Sequence, residues 1–182
     1  MKNRTAITLL TALLLGLHSC TTLPTDPPKW KFQENAIILN LKADHKLNVE
    51  KGKSYSLYLV VYQLADPNAF NQLAKDRSGR SKLLESDSFD SSVTAVKNMV
   101  IYPGSDVTHR LDRAEGAKWV GIVAGYRAIS QEENVRLFEI PIDKKEEGFF
   151  FQRINKMSAL LNVQLNFGPR QIEDSKAIEV KE

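Results

Sequence analysis

Apolar and polar residues alternate along most of the chain, and the alternation predicts strands. From 36 to 43, Ile37, Leu39 and Leu41 share one face while Asn40 and Lys42 share the other, the period of two expected of a half-buried strand. The following stretch, 44–53, is polar with Gly52 near its end and reads as a loop. The next strand, 54–64, is different in kind. Leu57, Leu59 and Val61 alternate with Tyr58, Val60 and Tyr62, so both of its faces are apolar. Such a strand requires a core beneath it and a second layer on its outer face.

Residues 66–86 supply a candidate for that layer, because the period changes there. Asp66-Pro67 is a helix-start pair, with a carboxylate placed to accept first-turn N–H groups and Pro at the tolerated first position. Phe70, Leu73 and Ala74 then recur at helical spacing. Arg77-Ser-Gly-Arg80 reads as a break, with Lys82-Leu83-Leu84-Glu85 as a second short turn. Strand signals return at 93–101, 106–111, 118–127, 134–140 and 159–167, separated by turns such as Tyr102-Pro103-Gly104-Ser105. Gly121 and Gly125 interrupt the fourth of these strand segments counted from 54; glycine inside a strand marks a bulge or a close backbone approach, and both read as sandwich core. Short strands separated by turns indicate a mainly β, two-sheet sandwich over 35–167 with a small helical insertion after the second strand. The segment 168–182 loses the alternation, carries Lys and Glu, and reads as a flexible tail.

Composition narrows the function classes. With 42% hydrophobic and 26% charged residues the chain is ordinary globular material, which excludes wholesale disorder. Its 25 Lys and Arg oppose 22 Asp and Glu, and two of the basic residues, Lys2 and Arg4, fall in a leader described below. The remainder is near neutral with no basic block, so no electrostatic footprint for nucleic acid is present. A single cysteine excludes an internal disulfide framework and a multi-thiolate zinc site. The histidines, His18, His45 and His109, are isolated from one another, so no metal site is expected. Ser105, Asp106 and His109 could be assembled into a nucleophile, base and orienter, but beside a Pro-Gly turn they read as turn chemistry. No catalytic residue, cofactor or small-molecule substrate is expected. Asp143-Lys-Lys-Glu-Glu-Gly148 reads as a solvated loop, and Phe149-Phe150-Phe151 either packs internally or forms a binding patch.

The N-terminus carries an export signal. Residues 1–5 form a basic region and 6–17 an uncharged apolar run, too short to span a bilayer, which takes about 20 helical residues, but suited to a signal peptide over 1–19. The run ends in Leu17-His18-Ser19-Cys20, which resembles the bacterial lipobox: an aliphatic residue three before the cysteine, a small one just before it. The resemblance implies a diacylglyceryl thioether and an N-acyl chain on Cys20, a permanent anchor. The alternative is cleavage after Ser19 with an incidental cysteine. Thr21, rather than Asp, follows the cysteine, which resembles the sorting signal for the outer membrane. Residues 20–34, rich in proline, read as a tether; an extended tether of this length would reach up to about 40 Å, less if Trp30 and Phe32 dock on the domain.

Several blocks together resemble the outer-membrane lipoprotein of the type VI secretion system, the TssJ/VasD/SciN family. They are the lipobox Cys20; Leu47-Asn48 and Gly52 in the first loop; Val61-Tyr62-Gln63-Leu64 with Asp66 and Phe70; the Pro103-Gly104 turn; and Val120-Gly-Ile-Val-Ala-Gly-Tyr-Arg127. The resemblance implies a transthyretin-like sandwich at the periplasmic face of the outer membrane. It implies a structural role in the trans-envelope complex, through binding of the periplasmic C-terminal domain of the IcmF-like inner-membrane subunit (TssM). In that family the loop between the first two strands carries much of the contact, which here designates Asp44, His45, Lys46, Leu47, Asn48 and Val49. Leu47, apolar amid polar neighbours, is the expected anchor and Lys46 the steering charge. Without the resemblance the same stretch reads as a solvated loop with Leu47 tucked in. A periplasmic ligand-binding or chaperone-type lipoprotein on the same sandwich is the alternative, and it requires an apolar groove with convergent polar groups.

Overall fold

Two faces of one strand organise the molecule. The computed structural model describes residues 28–127, 134–147 and 153–178. After β1 (Gln33–Ala43) and the loop, β2 (Leu57–Leu64) begins three residues later than the alternation suggests. Leu57, Leu59 and Val61 of β2 point into the main core, and Val60, Tyr62 and Leu64 point the opposite way into a second cluster. Both sets are buried.

Two helices cover that outer face, α1 (Asn68–Ala74) and α2 (Arg77–Glu85). The start of α1 lies one residue later than the Asp66-Pro67 pair suggests: Pro67 is the N-cap, and Asp66 before it accepts from the Asn68 N–H through Oδ1 at 2.8 Å in a turn that leads into the helix. The expected break at Arg77–Arg80 is not there. The helices part at Lys75–Asp76, where Asp76 caps α2 by accepting from the Gly79 N–H at 2.8 Å, and Arg77–Arg80 is the first turn of α2. Gly79 is needed for packing rather than as a breaker: a Cβ there would collide with the Leu73 carbonyl of α1. Tyr62 meets Phe70 and Phe89 edge to face, its ring centroid 6.1 and 5.0 Å from theirs. The Tyr62 hydroxyl lies 2.6 Å from the carbonyls of Leu83 and Ser86, fixing the end of α2, and burial pushes its pKa up to about 12.

The remaining elements are β3 (Val93–Ile101), β4 (Asp106–Arg113), β5 (Trp119–Gly125), β6 (Val135–Glu139), β7 (Ile142–Glu147), β8 (Arg153–Ser158), β9 (Leu161–Phe167) and β10 (Ile172–Ile178). One sheet has the order β10-β9-β1-β4 and the other β3-β2-β5-β6. Every pairing is antiparallel except β1 with β9, where Ile37 faces Leu161 and Leu41 faces Leu165. Ile37, Leu39, Leu41, Val163 and Leu165 from the first sheet meet Leu59, Val61, Val120 and Ile122 from the second. The chain is thus a mainly β sandwich with helices as a third layer.

Two sequence expectations fail here. The stretch read as a solvated loop from Asp143 is β7, paired with β8 in a ribbon separate from both sheets; a two-stranded ribbon imposes no core face and therefore no hydrophobic period. The tail read as flexible contains β10. It is held by main-chain pairing to β9, by buried Ile172, and by Arg136 of β6, which donates to the Ile172 carbonyl at 2.8 Å and to the Ser175 hydroxyl at 2.9 Å. Those holds are long-range and leave no local pattern.

The glycines of β5 face the helices rather than the inter-sheet core. A Cβ on Gly121 would stand 2.6 Å from the Phe70 ring, whose neighbours Tyr62 and Phe89 leave it little room to retreat. Gly121→Val should therefore cost about 1–3 kcal/mol. Chemical denaturation of the purified protein measures this, and an unchanged midpoint would mean that the helical layer yields freely.

Candidate functional site

The loop joining β1 to β2 is built on its own backbone. Asp44 starts it: its Oδ1 accepts from the Lys46 N–H at 2.6 Å and its carbonyl from the Leu47 N–H at 3.0 Å, closing one turn. Glu50 and Lys53 exchange both main-chain hydrogen bonds, at 2.9 and 3.0 Å, around Lys51 and Gly52. Gly52 sits at φ 75°, where a side chain is disfavoured. The Asp44 and Val49 N–H groups donate to the carbonyls of Phe167 and Pro169, which pins the loop to the end of β9.

Leu47 and Asn48 do not face a partner, contrary to the expectation for an exposed anchor. Leu47 is 0% exposed and belongs to the main core. Asn48 is 2% exposed; its amide donates to the Ser56 carbonyl at 2.8 Å and accepts from the Arg127 N–H at 2.7 Å. Its positive φ of 50° is a conformation asparagine tolerates well. The apolar residue amid polar neighbours is the loop's root, because a surface loop of this length needs a buried side chain to hold one shape. Val49 is half-buried.

Asp44, His45, Lys46, Lys51 and Lys53 are exposed. His45 lies over Gly104 of the turn joining β3 to β4, so close that a Cβ on Gly104 would stand 2.6 Å from Nδ1, and the Gly104 N–H donates to the Asp44 carbonyl at 3.1 Å. Beside this contact Tyr102 is 64% exposed, with Val100 and Tyr58 exposed on neighbouring positions of β3 and β2. The surface is therefore a basic loop tip flanked by an apolar, tyrosine-bearing patch, and exposed apolar groups gathered in one place mark interaction surfaces.

Arg127 completes the edge. Its guanidinium stacks 4.2 Å from the Tyr55 ring centroid and pairs with Glu50 at 3.3 Å. Tyr126 beside it is buried, donates to the Gln171 carbonyl at 2.7 Å, and has its pKa raised by that burial and by nearby Glu173. The Tyr126-Arg127 pair, which ends the Val120–Arg127 block, thus braces the loop from below. The contact of Arg127 with Glu50 and Tyr55 escapes a sequence reading because it joins residues far apart in the chain.

Among the described residues the other candidates do not come together into a site. Ser105, Asp106 and His109 share no hydrogen bond with one another among the described residues, and no group of three metal-binding side chains occurs among them. A cleft of about 210 Å³ between α2 and β5, lined in part by Arg77, Arg80, Leu84 and Arg127, is smaller than the roughly 300–1,000 Å³ of small-molecule sites. Cys20 and Phe149–Phe151 lie outside the described residues. No described helix is long and apolar enough to cross a membrane.

Comparison with known proteins agrees with this architecture. Residues 35–166 match the family described as "Type VI secretion lipoprotein, VasD, EvfM, TssJ". Among solved structures, the T6SS lipoprotein TssJ1 from Pseudomonas aeruginosa is similar with a TM-score of 0.56 at 17% identity, over 85% of this chain and 100% of that one. Serratia marcescens Lip, described as a membrane-bound component of the type VI secretion system, gives a TM-score of 0.54 at 13% identity, over 79% of this chain and 96% of that one. A chain in a structure described as "T6SS protein TssM C-terminal domain (869-1107) from EAEC" gives a TM-score of 0.54 at 16% identity, over 79% and 98%. At these identities the likenesses establish the fold. Comparison with the curated proteins gave no match.

Root and surface of the loop should separate on mutation. Leu47→Ala is expected to cost about 2–5 kcal/mol of stability, whereas Lys46→Ser should stay within about 0.5 kcal/mol of wild type. Parallel denaturation curves check both; equal effects would mean that Leu47 does not hold the loop.

Proposed function

The chain belongs to the type VI secretion lipoprotein family, and on that premise we propose that it is a structural component of the trans-envelope secretion complex. In this reading it is held at the periplasmic face of the outer membrane by acyl chains on Cys20. It binds the periplasmic C-terminal domain of the IcmF-like inner-membrane subunit (TssM) through the surface around Asp44–Val49. The family is one of secretion lipoproteins, not of enzymes, and a scaffold role requires no catalytic group.

The observation that carries the reading is the loop's construction. Binding without ordering cost needs a surface already fixed in shape, and this loop is fixed by Leu47, Asn48, the Glu50–Lys53 turn and the main-chain bonds to Phe167 and Pro169. With Leu47 buried, the apolar anchor passes to Tyr102, a residue type enriched at binding hot spots. Lys46, Lys51 and Lys53 supply steering charge, which acts mainly on the association rate and fades with salt.

A His45→Ser/Lys46→Ser/Tyr102→Ser variant should keep its melting temperature and bind the partner's periplasmic domain tenfold or more weakly, about 1.4 kcal/mol. Calorimetry on the purified components measures this, and unchanged affinity would move the contact surface elsewhere. Cys20→Ser should leave the domain folded but abolish labelling by palmitate and retention in the outer-membrane fraction. A variant still labelled and retained would overturn the anchor.

A further inference from the structure

We propose that the end of the sandwich at which the N-terminal segment enters is a membrane-contact surface, resting on the bilayer that holds the anchor through Phe32, Met157 and Leu160. The inference rests on the reading of Cys20 as the lipid attachment point.

Strand directions define two poles. β1 runs from Gln33, paired with Arg113 at the end of β4, to Lys42 and Ala43, paired with Asn166 and Phe167 at the end of β9. The loop 44–53 follows immediately, so it occupies the pole opposite the N-terminal segment. At about 3.3 Å per residue the length of β1 puts roughly 35 Å between them.

The entry pole is tightly made. Lys29 bridges to Met157, and the Ser158 hydroxyl lies 3.4 Å from the Lys29 carbonyl. The Trp30 carbonyl accepts from the Gly116 N–H at 2.8 Å, and its indole packs half-buried against the core. Arg113, 2% exposed, donates to the carbonyls of Lys31 at 3.0 Å and Ala159 at 3.3 Å, and to Gln33 Oε1 at 3.0 Å. That one guanidinium gathers the residues just before Phe32 and Leu160, and burial lowers its pKa without displacing its charge from reach of these oxygens.

On this frame Phe32 is 57% exposed, Met157 56% and Leu160 36%. All three face outward: Met157 bridges to exposed Lys29, Phe32 follows exposed Lys31, and Leu160 immediately precedes buried Leu161. Exposed Lys29 and Lys31 share this pole with exposed Glu34, Asp112 and Glu115, so the rim is of mixed charge, and it is the exposed apolar side chains that suit contact with the acyl-chain boundary of a bilayer. The chain length names the occupant. Only residues 21–28 separate Cys20 from the docked Lys29, and even fully extended this stretch reaches about 30 Å. The entry pole therefore stays within that distance of the membrane, and once Phe32, Met157 and Leu160 rest on the bilayer the loop pole faces away from it.

The test uses the full-length, lipidated protein in vesicles of phosphatidylethanolamine and phosphatidylglycerol carrying nitroxide-labelled acyl chains. The chain has a single cysteine, so once Cys20 is acylated an introduced thiol is the only one free to take a fluorophore. Labels at Phe32→Cys, Met157→Cys and Leu160→Cys should lose fluorescence to the nitroxides, and labels at Lys46→Cys and Tyr102→Cys should not. Equal quenching at both poles, or none at either, in protein whose mass shows lipid on Cys20 overturns the contact while leaving the anchor intact. Absence of that lipid mass overturns both.

Discussion

Burial of β2 on both faces is the constraint from which the rest of the structure follows. A strand with Leu57, Leu59 and Val61 on one side and Val60, Tyr62 and Leu64 on the other is stable only between two apolar layers. The first sheet supplies one layer and α1 with α2 the other. The helical segment between β2 and β3 is therefore part of the hydrophobic core: Gly79 is small because α1 and α2 approach closely within that layer, and Gly121 because the sheet meets Phe70 of the layer there. Fixing β2 also fixes where the loop before it must end and where β5, its neighbour, delivers Tyr126 and Arg127 beneath that loop.

What the sequence made legible was whatever has a short period. β1, β2 and β9 could be read residue by residue because one or both faces are buried, and the need for an outer layer on β2 followed directly. β7 and β10 were illegible for the complementary reason: their pairing is main-chain, and one buried Ile172 does not make a pattern. The loop was located correctly, but its inside and outside were exchanged. An apolar residue flanked by charges gives no local sign of whether it anchors a partner or the loop itself. Asn48, linked to Ser56 and Arg127, and the Glu50–Arg127–Tyr55 contact could be found only in three dimensions.

The two ends of β1 divide the work of the molecule. One end gathers the N-terminal segment around the buried Arg113, and the other carries a loop whose shape is set before any partner arrives. The proposed role, joining one membrane to an assembly rooted in another, needs these two surfaces apart and their relative orientation fixed, and a sandwich with parallel central strands β1 and β9 meets both requirements. Rigidity at the loop end lowers the ordering cost of association.

The central claim, that the loop pole and not the entry pole meets the inner-membrane partner, is tested most directly by photo-crosslinking in cells with an otherwise complete secretion apparatus. A photoreactive amino acid at Lys46 or Tyr102 should capture the IcmF-like subunit, and the same residue at Phe32 should not. Capture from Phe32 with none from Lys46 or Tyr102 would contradict the account.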